Sequence, residues 1–339
     1  MARRFDSGLR GLFPDDAVGP APVPDELRQI AAELPPSLRL GTSSWSFPGW
    51  AGLVYDRPAS PRVLAREGLA AYARHPLLRA AGIDRTYYAP IGAKVLAEYA
   101  AQVPGDFRFL VKVPAQVVDP VTRDAHGRAL ERNLSFLDSG WAAEFSVAPF
   151  VEGLADRAGV LLVQFPPLGR EITREPARFA GRLARFLEAL PRGVPYAVEL
   201  RDREILGPDY AEALAAGGAT HCLSVHPRGS RPAEQRGYLA LGPGRLIVAR
   251  WMLHSGHAYE EAREAYAPFD RLVEEDPESR QSLADLLASA VRAGQTAILI
   301  ANNKAEGSAP LTCFRLAGAV AALLREGRGG VSGGPRTGA

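Results

Sequence analysis

The feature that most constrains this chain is a regular alternation of short apolar runs with longer amphipathic ones. Eight short runs recur between residues 38 and 301: Leu38–Ser43, Ile83–Tyr87, Phe107–Val113, Gly159–Gln164, Pro195–Leu200, Thr220–Ser224, Leu246–Trp251 and Ala297–Ala301. Each is bounded by Gly, Pro or polar residues and reads as a strand. Helical patterns separate most of them, at Val63–Ala73, Ala93–Ala101, Arg178–Ala189, Tyr210–Ala215, Gln281–Ala293 and Cys313–Arg325. Parallel strands need crossover connections, usually helices, so this alternation implies a parallel sheet. About eight such units make a (β/α)8 TIM barrel. The competing architecture is an open doubly wound sheet, but no strand leads into GxGxxG or GxxxxGK[ST].

A chain of 339 residues can bury about three-quarters of its unfolded surface, so one barrel accommodates it. Residues 1–36 are rich in Pro, Gly and Arg and read as a loosely packed or partly disordered N-terminal extension, with one helical pattern at Asp25–Leu34. Residues 37–326 form the expected barrel domain. Residues 327–339 have almost no apolar content and read as a disordered tail. Two connections are unusually long, Pro114–Ala158 and Met252–Arg280. Long βα segments lie over the catalytic face of a barrel, which makes both candidate lids or interaction elements.

Charge excludes some functions. The formal net charge is +2 with both signs scattered, which gives no overall footprint for non-specific nucleic-acid binding. The cysteines, Cys222 and Cys313, are far apart and lie in apolar runs. They suit small buried hydrophobes better than a disulfide framework or zinc site. Without a signal-peptide pattern or a run of about 18 apolar residues, a cytoplasmic protein with no membrane span is expected.

Barrel chemistry gathers at the polar residues that end each strand. The fifth strand ends Glu199-Leu200-Arg201, and two-residue spacing puts both charges on one side. Glu199 can serve as general base or acid and Arg201 can orient an anion; alternatively the two form an ion pair closing the barrel mouth. Lys112 ends the third strand as a proton carrier, a Schiff-base amine, an anion anchor or the partner of a carboxylate such as Glu199. Gln164 can hold a substrate hydroxyl or a neighbouring loop. Asn302 and Asn303 end the eighth strand, and Ser308 precedes a helix whose N-terminus can bind an anion or simply be capped. Arg250 ends the seventh strand and can add a second positive charge. Trp45 and Trp50, in a Gly/Ser loop, can stack on a base or sugar or pack as a lid. The histidines offer no complete metal-ligand set; His254 and His257 are three apart, without a visible partner. No cofactor is called for, and a divalent metal is left open.

Taken in order, several of these segments resemble the YecE-like family, domain of unknown function 72. They are Gly41-Thr42-Ser43-Ser44-Trp45, Thr86-Tyr87-Tyr88, Pro104 to Lys112, Leu162 to Pro167, Ala197 to Arg201, and Asn302-Asn303 with Gly307, Ala309 and Pro310. The resemblance covers about residues 38–325. It implies a TIM barrel and adds Tyr88 to the candidate substrate-binding residues, but it supplies no activity. Fold analogy within the family points to metal-dependent or nucleic-acid roles. The chain departs from the family pattern at Gly82 and Asp84, where a Glu and an Asn are usual, and at Asp119 and Met252, where His is usual. Asp84 can stand in for the missing Glu.

Three functions follow. The first is an enzyme with Glu199, Lys112 and Arg201 as catalytic residues. Its hydroxylated anionic small molecule is held by Trp45, Asp84, Tyr88, Gln164, Arg250, Asn302, Asn303 and Ser308. Isomerase, lyase and hydrolase chemistry all fit. The second is a nucleic-acid-binding or nuclease-like protein using the tryptophans beside the cations. The third is a non-catalytic scaffold or ligand sensor.

Overall fold

The computed structural model describes residues 18–329 except 125, 240, 241, 243 and 255. Its barrel begins with β1 (Leu38–Thr42), β2 (Leu78–Ile83) and β3 (Arg108–Lys112). The connection after β3 carries an antiparallel hairpin of β4 (Val121–Arg123) and β5 (Ala129–Arg132). The barrel continues with β6 (Ala158–Gln164), β7 (Tyr196–Glu199), β8 (Thr220–Val225), β9 (Leu246–Trp251) and β10 (Thr296–Ala301). The eight barrel strands close in the order β1-β10-β9-β8-β7-β6-β3-β2, every neighbour parallel. The fold is the α/β TIM barrel implied by the strand–helix alternation.

Alternation of side chains along each strand sorts two cores. One set points into the barrel: Ala80, Leu110, Val160, Leu162, Ala197, Cys222, Val248, Ile298 and Ile300 form one buried cluster, with Leu246 packed against it. The opposite faces meet the surrounding helices in a larger cluster. Continuing the inward parity by one step places Lys112, Gln164, Glu199, Ser224 and Arg250 in the uppermost layer. The interior is therefore apolar below and charged at its C-terminal mouth. Both cysteines are free and buried, as small hydrophobes should be.

The second strand lies five residues upstream of its expected start. Ile83–Tyr87 is not a strand: β2 ends at Ile83 and Asp84–Tyr87 forms a 3-10 turn, with the Thr86 hydroxyl donating to the Ile83 carbonyl at 2.7 Å. The segment Ala80-Ala81-Gly82 has weak β propensity, which hides it from a pattern search. Close packing against β1 explains its composition. A Cβ added at Gly41 would lie 1.9 Å from the Ala80 carbonyl oxygen, and one at Gly82 would lie 3.0 Å from the Ser43 Cα. Small residues are the only ones that let β1 and β2 approach this closely.

The termini also differ from expectation. Helix Asp25–Glu33 is docked rather than loose: Leu27, Ile30, Ala31 and Leu34 pack on the core, and Glu33 pairs with Arg325. The last helix, Ala309–Gly329, continues through residues 327–329, the start of the expected tail. Gly327 rests against the Arg292 guanidinium there. The rest of the expected tail, 330–339, and residues 1–17 of the extension lie outside the described residues. No helix among the described residues is long and apolar enough to cross a membrane.

Substituting Gly41→Ala should lower unfolding free energy by about 1–3 kcal/mol through overpacking. A control at Gly105, where an added Cβ meets nothing within 4 Å, should shift it by less than about 0.5 kcal/mol. Urea denaturation of both variants measures the difference.

Candidate active site at the barrel mouth

Glu199 is completely buried at the top of β7. An ionised carboxylate survives there only with partners. Its Oε1 lies 2.6 Å from an Arg201 nitrogen and accepts from the Ser224 hydroxyl at 3.0 Å. Its Oε2 accepts from Arg250 Nη1 at 2.7 Å. Ser224 Oγ in turn accepts from Arg201 Nη1 at 2.7 Å. Strand register makes this possible, because Gln164 lies opposite Glu199 and Ser224 opposite Arg250.

Arg250 is also fully buried, and its second nitrogen reaches Asp84 at 3.2 Å. Asp84 sits 3.3 Å from Lys112 Nζ. The charges thus form one chain across the mouth: Lys112, Asp84, Arg250, Glu199, Arg201. It meets solvent through Asp84, 28% exposed, and less through Lys112, 12% exposed. Lys304 stands beside it, buried, with Nζ 4.1 Å from the Tyr259 ring centre. Four cations face two carboxylates, so the mouth is net positive and suits an anion.

Burial alone would raise the Glu199 pKa, but Arg201, Arg250 and Lys112 outweigh it and hold the carboxyl down at about 2. Burial lowers Lys112 to about 8, against the opposing pull of Asp84. Lys304 is likewise lowered to about 8, chiefly by burial. His226, after β8, is lowered to about 4 by burial and by Arg201. Proton exchange near neutral pH therefore falls to the lysines, while Glu199 stays ionised.

The structure brings Glu199, Arg201, Lys112, Arg250 and Asp84 into one cluster. Gln164 stands next to it in register, its amide donating to the Phe165 carbonyl at 3.2 Å. Asn302 lies at the β1 edge of the mouth, donating to Ser43 Oγ at 2.8 Å. Tyr88 is 86% exposed beyond the β2 turn. Four expected residues go elsewhere. Trp45 is buried, its ring edge-to-face with Tyr99 at 5.1 Å, so it packs as core and offers no stacking surface. Trp50 is buried too, stacked near Tyr72. Asn303 Oδ1 accepts from the Ala309 amide at 2.8 Å and from Trp50 Nε1 at 3.3 Å, so it caps the last helix. Ser308 is fully buried behind that cap. An acceptor oxygen thus already fills the helix N-terminus, and the anion preference comes from side-chain cations instead.

Ser224 and Lys304 were missed as site residues. Strand parity carried a signal for Ser224, two residues beyond inward-facing Cys222. Lys304 follows Asn302-Asn303 directly. Of the family departures, Gly82 is tightly packed, an added Cβ lying 3.0 Å from the Ser43 Cα, and Asp84 supplies a carboxylate that reaches both Lys112 and Arg250. Asp119 is taken up by Arg123 at 2.6 Å and by the Val121 amide at 3.1 Å, so it braces the hairpin. Met252 is buried.

Fold and site together define a parallel TIM barrel whose mouth is closed by a buried ion chain. The family model for "Protein of unknown function DUF72" matches residues 39–329, and the chain belongs to that family. The DUF72 family protein from Thermotoga maritima has 20% sequence identity and a TM-score of 0.53, over 82% of this chain and 97% of that one. The DUF72 family protein from Enterococcus faecalis V583 has 17% identity and a TM-score of 0.53, over 84% and 95%. These likenesses support the fold. No curated protein matches the sequence.

Removing one partner of the buried pair should be severe. Arg250→Met leaves Glu199 half-compensated and should cost about 3–5 kcal/mol, with Arg250→Met/Glu199→Leu costing less than the sum of the single changes. The pH dependence has a definite sign. Because the folded-state pKa of Glu199 is depressed, its contribution is complete above about pH 4.5 and is lost as pH falls towards 2. Denaturation across that window should show a steeper loss for the wild type than for Glu199→Gln.

Proposed function

We propose that this barrel binds a small hydroxylated anion at its mouth and acts on it by proton transfer. The carrying observation is the excess of cations there, Lys112, Arg201, Arg250 and Lys304 against Glu199 and Asp84. In this reading Glu199 is a fixed anion that locks Arg201 and Arg250 in place, a positioning role. A carboxyl held at about 2 is a weak base, and acid–base catalysis works best with a pKa near the working pH. Lys112, lowered to about 8, meets that requirement and has solvent access. It is the group proposed to carry the proton, and its neutral amine also suits carbinolamine chemistry with a carbonyl substrate. Asn302 and Gln164 would meet the substrate hydroxyls.

A dose-dependent thermal-shift screen tests binding with sugar phosphates, hydroxy acids, nucleotides and short oligonucleotides. Small anions should stabilise the protein, and Arg201→Gln should weaken that shift by about tenfold or more. The kcat/KM of any hit should rise through a limb near pH 8, where Lys112 of the unliganded protein loses its proton. Lys112→Arg, which keeps the charge but not the titration, should retain binding and lose turnover. Stabilisation by oligonucleotides alone would favour the nucleic-acid reading. Tight anion binding with no chemical change would favour a ligand sensor.

A further inference from the structure

The long Met252–Arg280 connection contains a ligand set that the mouth chemistry does not use. His254 and His257 lie on its outgoing arm and Glu274 on its returning arm. Their donor atoms fall within 4.8 Å of one another. His257 Nε2 is 2.6 Å from Glu274 Oε2, and His254 Nδ1 is 3.8 Å from Glu274 Oε1. Around a tetrahedral ion with bonds of about 2.1 Å, neighbouring donor atoms stand about 3.4 Å apart. The observed pair distances bracket that separation.

The surroundings are those of a supported site. His257 Nδ1 makes no hydrogen bond and faces the Glu261 carboxylate at 3.5 Å; once a metal takes Nε2 from Glu274, the ring proton stays on Nδ1, with that carboxylate within reach. The Glu261 carboxylate is itself held by the Ala258 amide at 3.2 Å. Tyr266 donates to Glu274 Oε2 at 3.1 Å and packs edge-to-face on the His257 ring. Both arms are tied to the loop after β10: the His254 amide donates to the Lys304 carbonyl at 2.9 Å and the Glu274 amide to the Glu306 carbonyl at 3.2 Å. Leu253, Ala262 and Tyr266 form a small core of their own beneath. His254 and His257 are 13% and 19% exposed, and Glu274 is 46% exposed, which leaves room for water as a fourth ligand.

We propose that His254, His257 and Glu274 bind one zinc-class divalent metal ion, which staples the two arms of the connection beside the barrel mouth. Two imidazoles and one carboxylate suit borderline ions and not magnesium or calcium. Binding replaces the His257–Glu274 hydrogen bond and the bond that Gly256 donates to His254 Nδ1 at 3.1 Å. The staple acts at some distance from Glu199 and does not depend on the anion-binding reading.

The test is titration of the untagged, chelator-treated full chain with Co2+ as a coloured stand-in, followed by displacement with Zn2+. One equivalent of Co2+ should give visible bands of low-symmetry coordination that Zn2+ abolishes and Mg2+ does not. His254→Gln and Glu274→Gln should each weaken binding at least tenfold. Glu261→Gln, which leaves all ligands in place, should weaken it about 10–100-fold. Circular dichroism checks that each variant is folded. If the ligand variants do not fold, the wild-type spectrum and Glu261→Gln still decide. Absence of saturable Co2+ and Zn2+ binding to the wild type overturns the proposal, as does unchanged affinity in folded His257→Gln/Glu274→Gln.

Discussion

A buried carboxylate held between two guanidinium groups governs the upper half of this barrel. Glu199 has no exposed surface, and its isolated charge would be prohibitively costly in that place. Arg201 and Arg250 make it tolerable, but they carry one charge more than it neutralises. That surplus recruits Asp84 from the β2 turn, and Asp84 in turn holds Lys112. Each charge therefore accounts for the next. The chain of pairs also depends on register, since a one-residue slip of β7 or β9 would send Glu199 or Arg250 into the apolar helix layer. Charge pairing and strand alignment specify the same closed barrel.

Much of this was legible in the residues. Seven of the barrel strands follow apolar runs with clear boundaries, and the two-residue spacing of Glu199 and Arg201 foretold that they share a side. Lys112 and Arg250 were visible because a charge ending a strand in a barrel must face the mouth. What escaped detection has physical causes. The β2 run Ala80-Ala81-Gly82 is written by the closeness of β1, a tertiary constraint that local propensity does not encode. In the hairpin, β5 is exposed along its whole length and β4 has only three residues, half-buried at Val121 and Thr122, so neither shows the alternation that marks a half-buried strand. Trp45 and Asn303 read as site residues from their position near strand ends, yet one packs on Tyr99 and the other caps a helix. Loop geometry after the strand, which a periodic pattern does not carry, separated them from the pocket.

The departures from the family pattern are coherent when taken together. At Gly82 a side chain would press on the Ser43 backbone just beyond β1. Two residues on, Asp84 supplies a carboxylate from the rim instead of from within the strand. Asp84 partners Lys112 and Arg250 from the rim, where it stays reachable by solvent. The group that balances those cations is the most exposed member of the chain.

That arrangement separates fixed charge from adjustable charge. Glu199 and Arg250 are held ionised by each other, and no pH near neutrality alters them. Lys112 and Lys304, both lowered to about 8, are the mouth groups poised to change state in that range. An anion entering the mouth adds a favourable Coulomb partner, which shifts both lysines upward. Under the anion-binding reading, binding above pH 8 is therefore accompanied by proton uptake, and release returns the proton. A site of this kind couples occupancy to protonation without moving its backbone, because the scaffold that positions the lysines is the ion lock that does not titrate.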